Sequence, residues 1–343
     1  GDSQTITVTA YDAYNNVATG YEGSKDLTFS GANPSPDPAT NPIMDGVDFG
    51  STTSLTFTSG VATGTMYLYK VETAEITATD GSINANTHKL TVVVSHDIPA
   101  YLTVTGTGTQ TAGTSQTITV TAYDAFNNLA TGYTGGHSLT FSGANPSPAP
   151  ATNPTVAAIA FSSPTNLIFT NGVAAGTMYL YKVETAHITA TDGSINADAH
   201  KLDVVVSHAT PNYLAVTGTG TQTAGDSQTI TVTAYDAYNN VATGYEGSKD
   251  LTFSGANPSP APETHPTVAS VNFGSTTSLI FTSGVATGTM YLYKVETAHI
   301  SADDGTINAS LHKLDVVVSH ATPDYLTVTG TGTQVAGTSQ TIT

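Results

Sequence analysis

Asp12 closes the stretch "VTAYDAYNN" and Asp80 sits in "TATDGS". One copy later the same two turns carry Asp124, Asn127, Asn128 and Asp192. Oxygen-rich turns suit a calcium ion, which takes six to eight oxygen ligands, and Asp97 in "SHDIPAY" offers one more carboxylate. The plainer reading needs no ion. Asp12 and its two following Asn residues close an Asx turn, and "DG" serves a tight hairpin. The chain has no dense D-x-D-x-D loop, and the equivalents of Asp97 are Ala209 and Ala321, which favours the turn. Calcium is the single cofactor the residues suggest.

Other polar groups recur at the same spacing. His88 and His96 bracket an expected strand, with equivalents at His200/His208 and His312/His320. Eight residues span about 26 Å in a strand, so one pair cannot share a metal. His96 against the loops of a following unit would make a pH-sensitive joint, whereas a solvated strand end would do nothing. Lys70 and Lys89 raise an isopeptide crosslink, but Lys89 falls on the wet side of its strand. Outward threonines ("TITVT") have the spacing of an ice-binding row and are equally ordinary exposed-strand residues. Glycans are a further possible partner, with Asn308-Ala309-Ser310 the one plausible N-linked sequon. No Ser/His/Asp, paired-carboxylate or phosphate-cradling arrangement stands out.

Aromatic and proline positions suggest contact. By parity Tyr67 and Tyr69 face outward, as do Tyr179, Tyr181, Tyr291 and Tyr293. With Pro34 and Pro36 of the loop "GANPSPDPATNP", they are candidates for packing between repeats. Cross-strand tyrosine pairing within one sheet is the alternative. Pro99, Pro211 and Pro323 mark the short connections "SHDIPAY", "SHATPNY" and "SHATPDY". Proline fixes φ and biases its predecessor to extended geometry, so these joints should be stiff.

The elements that must position these groups follow from a fixed period. "SQTITVTAYDA" starts at Ser3, Ser115 and Ser227, and "SQTIT" returns at Ser339, always 112 residues on. That is one small domain per period, so three domains are expected instead of one large core. The 343 residues contain no cysteine and no tryptophan, eight basic side chains against 26 acids, and a net charge of −18. Such a surface repels phosphate backbones and anionic lipid, and no stretch is long and apolar enough to insert in a bilayer. Period-2 alternation runs through Ile6/Val8/Ala10, Leu27/Phe29, Val47/Phe49, Leu55/Phe57, Met66/Leu68, Ile76/Ala78 and Leu90/Val92/Val94. Turn residues fall between these runs, and no helical period is sustained. The fold class is all-β, a tandem of sandwiches. At about 3.3 Å per residue a module is roughly 35–40 Å long, and the whole an extended rod on the order of 100 Å.

"AGTSQTITVTAYDAFNNLATGYTG" and "LIFTNGVAAGTMYLYKVETAHITATDG" resemble the bacterial immunoglobulin-like repeats of large surface proteins, the invasin/intimin-like and filamin-like modules. The resemblance covers every unit except the Pro-rich stretch 33–50, which looks inserted. It implies immunoglobulin-like sandwiches, a bacterial extracellular or cell-surface setting, no catalysis, and a fibre or adhesin-stalk role. In that topology the "AYNN" and "TDGS" turns share a pole beside the incoming connection, which is where a junctional calcium would sit. It also puts the first strand of each module at "YLTVTG", with Leu102 and Val104 inward.

The expected divisions are 1–97, lacking a first strand; 98–209 and 210–321, complete; and 322–343, a first strand and the start of a second. Two arrangements give this pattern: donor-strand exchange between chains, or a window cut from a longer array. The closing "GTSQTIT" would compete with a neighbour's own "SQTIT", which favours the window with further repeats on both sides. Partners are then further copies of the repeat, in the same chain or another. The competing functions are a surface binding module for sugar or ice, and a spacer of a large secreted enzyme.

Overall fold

The computed structural model describes residues 1–343, which form strands and turns without a helix. Two compact units result, Gly1–Ser207 and His208–Thr343.

Gly1–Ser207 holds two sandwiches. In residues 98–207 one sheet runs Ile159–Ala160, Thr155–Val156, Val173–Tyr179, Ser115–Asp124, Pro99–Thr105. Facing it is a sheet ordered Thr109–Thr111, Leu202–Ser207, Thr185–Thr191, Gly135–Ser142, Pro164–Phe169. Neighbours are antiparallel except Thr109–Thr111, which pairs parallel with Leu202–Ser207. The alternation in "SQTITVTAYD" dictates this layering. Ile118, Val120 and Ala122 are fully buried, while the threonines between them reach the surface. Phe141, Phe169, Leu139, Met178 and Leu180 fill the space between the sheets. Pro99, which has no N–H to give a ladder, opens its strand at the edge of the sheet.

Residues 1–97 follow the same plan with four strands per sheet. Ser3–Thr9, Val61–Tyr67, Ile43–Met44 and Val47–Asp48 face Thr52–Phe57, Gly23–Ser30, Glu72–Thr79 and Leu90–Val94. No strand takes the places that Pro99–Thr105 and Thr109–Thr111 hold in the next repeat, and burial records the difference. Val204 and Val206 are 0% and 2% exposed, whereas their counterparts Val92 and Val94 are half-exposed and Leu90 is open.

The Pro-rich stretch is more ordered than an exposed loop. Ser35 is buried, its amide donating to Thr40 O (3.0 Å) and its hydroxyl accepting from Thr40 N (2.9 Å). Beyond it, Ile43–Met44 and Val47–Asp48 form a small hairpin paired to Val61–Tyr67. Its anchor is Met44, fully buried, while Val47 and Phe49 are only half-buried. The turn at Asp45 and Gly46, both at positive φ, explains this, since alternation cannot continue through it.

His208–Thr343 holds one sandwich of two five-stranded sheets with the same strand order. Beyond Ser319 the chain carries no strand, and Tyr325, Leu326 and Val328 are 75%, 93% and 74% exposed.

Candidate functional site at the joint between repeats

Within Gly1–Ser207 the residues singled out for chemistry gather where one repeat meets the next. Asp124, at the end of its strand and 1% exposed, is the hub. Its Oδ1 accepts the backbone N–H of Phe126 (2.8 Å) and Asn128 (2.9 Å). Its Oδ2 accepts Asn128 Nδ2 (2.9 Å) and the N–H of Asp97 (3.0 Å). Burial alone would raise this carboxyl, but the Asn128 amide and the three backbone donors outweigh it and hold Asp124 below the usual carboxylate range.

Asn128 carries the contact across the joint. Its Nδ2 donates to the Tyr69 carbonyl (2.8 Å) and its Oδ1 accepts the Val71 N–H (2.9 Å). Both ends of the amide are therefore used on the backbone of the preceding repeat, and the residue is 5% exposed. Beside it, Asn127 Nδ2 donates to Pro38 O (3.2 Å) and lies 3.5 Å from Pro36 O. The Tyr101 hydroxyl donates to Asn127 Oδ1 (2.7 Å). Phe126 packs on Tyr69 at 4.8 Å between ring centroids.

His96 closes the other side. Its Nε2 accepts the Gly132 N–H (2.8 Å), so Nδ1 must carry the proton donated to Asp97 O (2.7 Å). The neutral ring therefore ties the connection to a loop of the second repeat. In His208–Thr343, His208 makes the same two bonds, to Gly244 N and Ala209 O (2.8 and 2.6 Å).

Asp192 does not join this cluster. Its Oδ2 accepts the Tyr133 hydroxyl (2.6 Å) and its Oδ1 the N–H groups of Ser194 and Ile195 (2.8 and 2.9 Å). All four calcium candidates thus spend their oxygens on N–H and O–H donors, and the Asp97 side chain is not needed, because its backbone N–H makes the bond. Ala209 shows why the side chain can change: its N–H donates to Asp236 Oδ2 at 2.9 Å in the same way. No group of three or more acidic or histidine side chains is placed to hold a metal. Millimolar calcium or a chelator should leave the calorimetric unfolding midpoint unchanged; a calcium-dependent rise would return this pole to cation chemistry.

The tyrosine–aspartate bond recurs as Tyr21–Asp80 (2.5 Å) and Tyr245–Asp304 (2.5 Å), and it sets a pH window. Burial and the adjacent carboxylate push the Tyr21 phenol up to about 12, and Tyr133 and Tyr245 above the ordinary phenol range. Asp192 and Asp304 feel burial first, but their hydroxyl and N–H donors hold both low. The raised phenols contribute stability that is complete below about pH 10 and lost as pH climbs through the folded values. The lowered carboxyls contribute stability that is complete above about pH 4 and lost as pH falls through theirs. The contribution of these pairs to the unfolding midpoint should be flat between about pH 5 and 9 and drop on both sides. A maximum below pH 4 would contradict this assignment.

The remaining candidates fall in two classes. Tyr67 and Tyr69 are half-buried and stack at 6.4 Å, and the pairs Tyr179/Tyr181 and Tyr291/Tyr293 repeat that stack at 6.4 and 6.5 Å. These stacks join neighbours two residues apart along the chain and are not cross-strand pairs, since Tyr67 lies opposite Ser3 and Ile43, and Tyr69 also bears on Phe126. Burial and the neighbouring Tyr67 raise the Tyr69 phenol. Pro34 is exposed, Pro36 touches the joint through its carbonyl, Pro99 and Pro211 open edge strands, and Pro323 lies in the strandless tail. Lys70 pairs with Glu72 at 3.4 Å, and Glu72 in turn holds Asn33 N and Nδ2 at 2.7 Å each.

No family model and no curated protein matches the chain. Among solved structures it is similar to invasin, a bacterial integrin-binding protein (13% identity, TM-score 0.35, 93% of this chain and 60% of that one). It is also similar to the Yersinia pseudotuberculosis adhesin InvE (16%, 0.27, 63% and 58%). A third is the surface layer protein SbsC, domains 4–9 (18%, 0.23, 94% and 43%). The chain thus spans about 60% or less of the length of each of these three.

Phe126, Val71, Gly132 and the Asp97 N–H were not legible as joint residues, whereas the sequence offers His96 and the Pro-rich loop as contacts to the next repeat. Only the doubled Asn after Asp124 signalled that this turn has amide groups to spare.

Proposed function

We propose that the chain is a structural, non-catalytic component of a bacterial cell-surface fibre or adhesin stalk, in which sandwich repeats follow one another head to tail. The observation that carries this reading is the Asn128 amide, buried and bonded at both ends to the backbone at Tyr69 and Val71 of the preceding repeat. A bidentate bond of this kind fixes one repeat on the next, where a flexible tether would leave the backbone groups to water. The saturated carboxylates support the absence of catalysis, since every perturbed acid is bonded in a turn, a loop or a pair, including Asp12 and Asp80, which border an open cleft in residues 1–97.

The chain has no cysteine, so paired spin labels can be placed cleanly at the exposed positions Thr56→Cys and Ile168→Cys. A narrow distance distribution that broadens in Asn128→Ala is the expected result; a broad one in the otherwise unaltered chain would defeat the reading. Electron microscopy of native cell-surface material should place the chain in fibres or stalks, and finding it inside cells would end the assignment.

A further inference from the structure

The sandwich of residues 98–207 holds the strands by which the chain enters and leaves it side by side. Thr109–Thr111 pairs parallel with Leu202–Ser207, Thr109 opposite Val205 and Thr111 opposite Ser207. Backbone bonds close the pairing at both ends, Val205 N to Gly108 O (2.9 Å) and Ala112 N to Ser207 O (2.8 Å). The direction of the chain decides what this pairing resists. Pro99 lies opposite Asp124 at one pole, and the chain runs from there through Thr105 to Thr111 at the other. Leu202–Ser207 runs the same way and leaves at that far pole. Tension between Pro99 and Ser207 therefore drags the two strands in opposite senses along their common axis. All the bonds between them are strained together, in shear, where peeling would open them one at a time.

A buried glutamine pins this pairing to the facing sheet. Gln110, in the middle of the short strand, is 6% exposed. Its Nε2 donates to the carbonyls of Thr114 and Met178, and its Oε1 accepts Gln116 Nε2 (2.8 Å). Gln116 Oε1 in turn accepts the Thr107 N–H (2.8 Å). Gln116 and Met178 lie opposite each other in the other sheet, so the network bridges the two layers. A slip of one residue would turn Gln110 to the other face and leave these buried partners unpaired. An apolar side chain could be buried there with no network to satisfy, so what the amide adds is a fixed register. His208–Thr343 repeats the arrangement. Thr221–Thr223 pairs parallel with Leu314–Ser319, and Gln222, 7% exposed, reaches Met290 O and accepts Gln228 Nε2 (2.7 Å).

We propose that the Gln110 and Gln222 networks lock a shear clamp through which each of these sandwiches bears tension along the chain. The inference rests on the stalk reading, which supplies the pull and its direction, and it names the element that resists it. Forced unfolding follows the unfolding barrier and not equilibrium stability, so the clamp has a readout of its own.

The chain has no cysteine, so pulling points can be chosen freely. Single-molecule pulling on the full-length chain compares two pairs of handles at exposed positions. Ala100→Cys with Thr210→Cys, just beyond Ser207, stretches the sandwich from pole to pole. Ser115→Cys with Thr210→Cys peels Leu202–Ser207 from its C-terminal end, opening the bonds to Thr109–Thr111 in turn. The pole-to-pole force should be severalfold the peeling force. Gln110→Met keeps the bulk and removes the amide, and should bring the ratio of the two forces down towards one. Gln116→Met, at a half-buried position, should do the same where Gln110→Met prevents folding. Ile188→Val trims the core away from the clamp, and should lower the thermal midpoint while leaving the ratio unchanged. Equal forces in the two directions, or a ratio that survives loss of either glutamine amide, would overturn the clamp and leave the stalk reading standing. A high ratio in a chain that resides inside cells would keep the clamp and end the stalk.

Discussion

Asp124→Ala should destabilise Gly1–Ser207 by about 4 kcal/mol, whereas Asp12→Ala, the same substitution one repeat earlier, should barely move the unfolding midpoint. Both carboxylates cap an identical turn. Asp12 accepts Tyr14 N, Asn16 N and Asn16 Nδ2 at 2.8–2.9 Å, much as Asp124 accepts its own neighbours. The difference lies in what surrounds them. Asp12 is exposed, so water replaces the lost acceptor. Asp124 is 1% exposed, and its removal strands the N–H groups of Phe126, Asn128 and Asp97 and frees the Asn128 amide that grips Tyr69 and Val71. Each buried donor left without a partner costs about 1–3 kcal/mol, and the losses share one network, so they will not simply add. Asp124→Asn should recover only part, because one of its two head atoms donates. Scanning calorimetry of the three full-length variants decides it, and equal costs at Asp12 and Asp124 would show that the joint contributes nothing.

The sheets were legible because burial on one side imposes a period of two, and a run such as Ile118, Val120, Ala122 can satisfy it in only one register. Alternation failed where the backbone turned at positive φ: at Asp45 and Gly46 the side-chain sequence no longer reports a face, so the anchoring role of Met44 was invisible. It also gave Leu90, Val92 and Val94 as inward without showing how exposed they stay, since that depends on a neighbouring strand that parity does not count.

The joint was half legible, for a chemical reason. Asp and Asn in a turn announce oxygen and amide groups, and the sequence offered Asp124, Asn127 and Asn128 as calcium ligands or as members of an Asx turn. It could not say whether the partner was a cation or a backbone amide, because both satisfy a carboxylate and the choice is made by geometry. The substitution of Asp97 by Ala209 carried the answer, since a contact that survives loss of the side chain belongs to the main chain. His96 was legible as a joint residue, but its partners were not. Its two ring nitrogens serve Gly132 N and Asp97 O, both backbone groups, and backbone groups leave no residue type to recognise.

Gly143→Ala, like the same change at its equivalents Gly31 and Gly255, should be among the most damaging single methyls in the chain. Gly143 ends the strand Gly135–Ser142 at φ +96, and a Cβ built there falls 1.8 Å from the His187 carbonyl oxygen and 2.6 Å from its carbon. Neither atom belongs to a flexible side chain. His187 N donates to Gly143 O at 2.9 Å, so the backbones cannot part without breaking the pairing that seats Thr185–Thr191 beside Gly135–Ser142. The loop that follows is held two residues later, where Glu184 binds Asn145 N and Nδ2 at 2.7 Å each, so displacement would spread into it. Gly135→Ala separates strain from collision. Gly135 has φ +87 but open space around its Cβ, and should cost only the left-handed penalty of about 1–2 kcal/mol. Gly143→Ala carries that penalty plus the clash, and should exceed about 4 kcal/mol, removing a large part of the stability of its sandwich. Because the first repeat has its own core of Ile6, Phe29, Phe57 and Met66, it should keep a separate calorimetric transition in the variant. Loss of both transitions together would mean that the two repeats of Gly1–Ser207 fold as one cooperative body, with the Asn128 bond transmitting the damage across the joint.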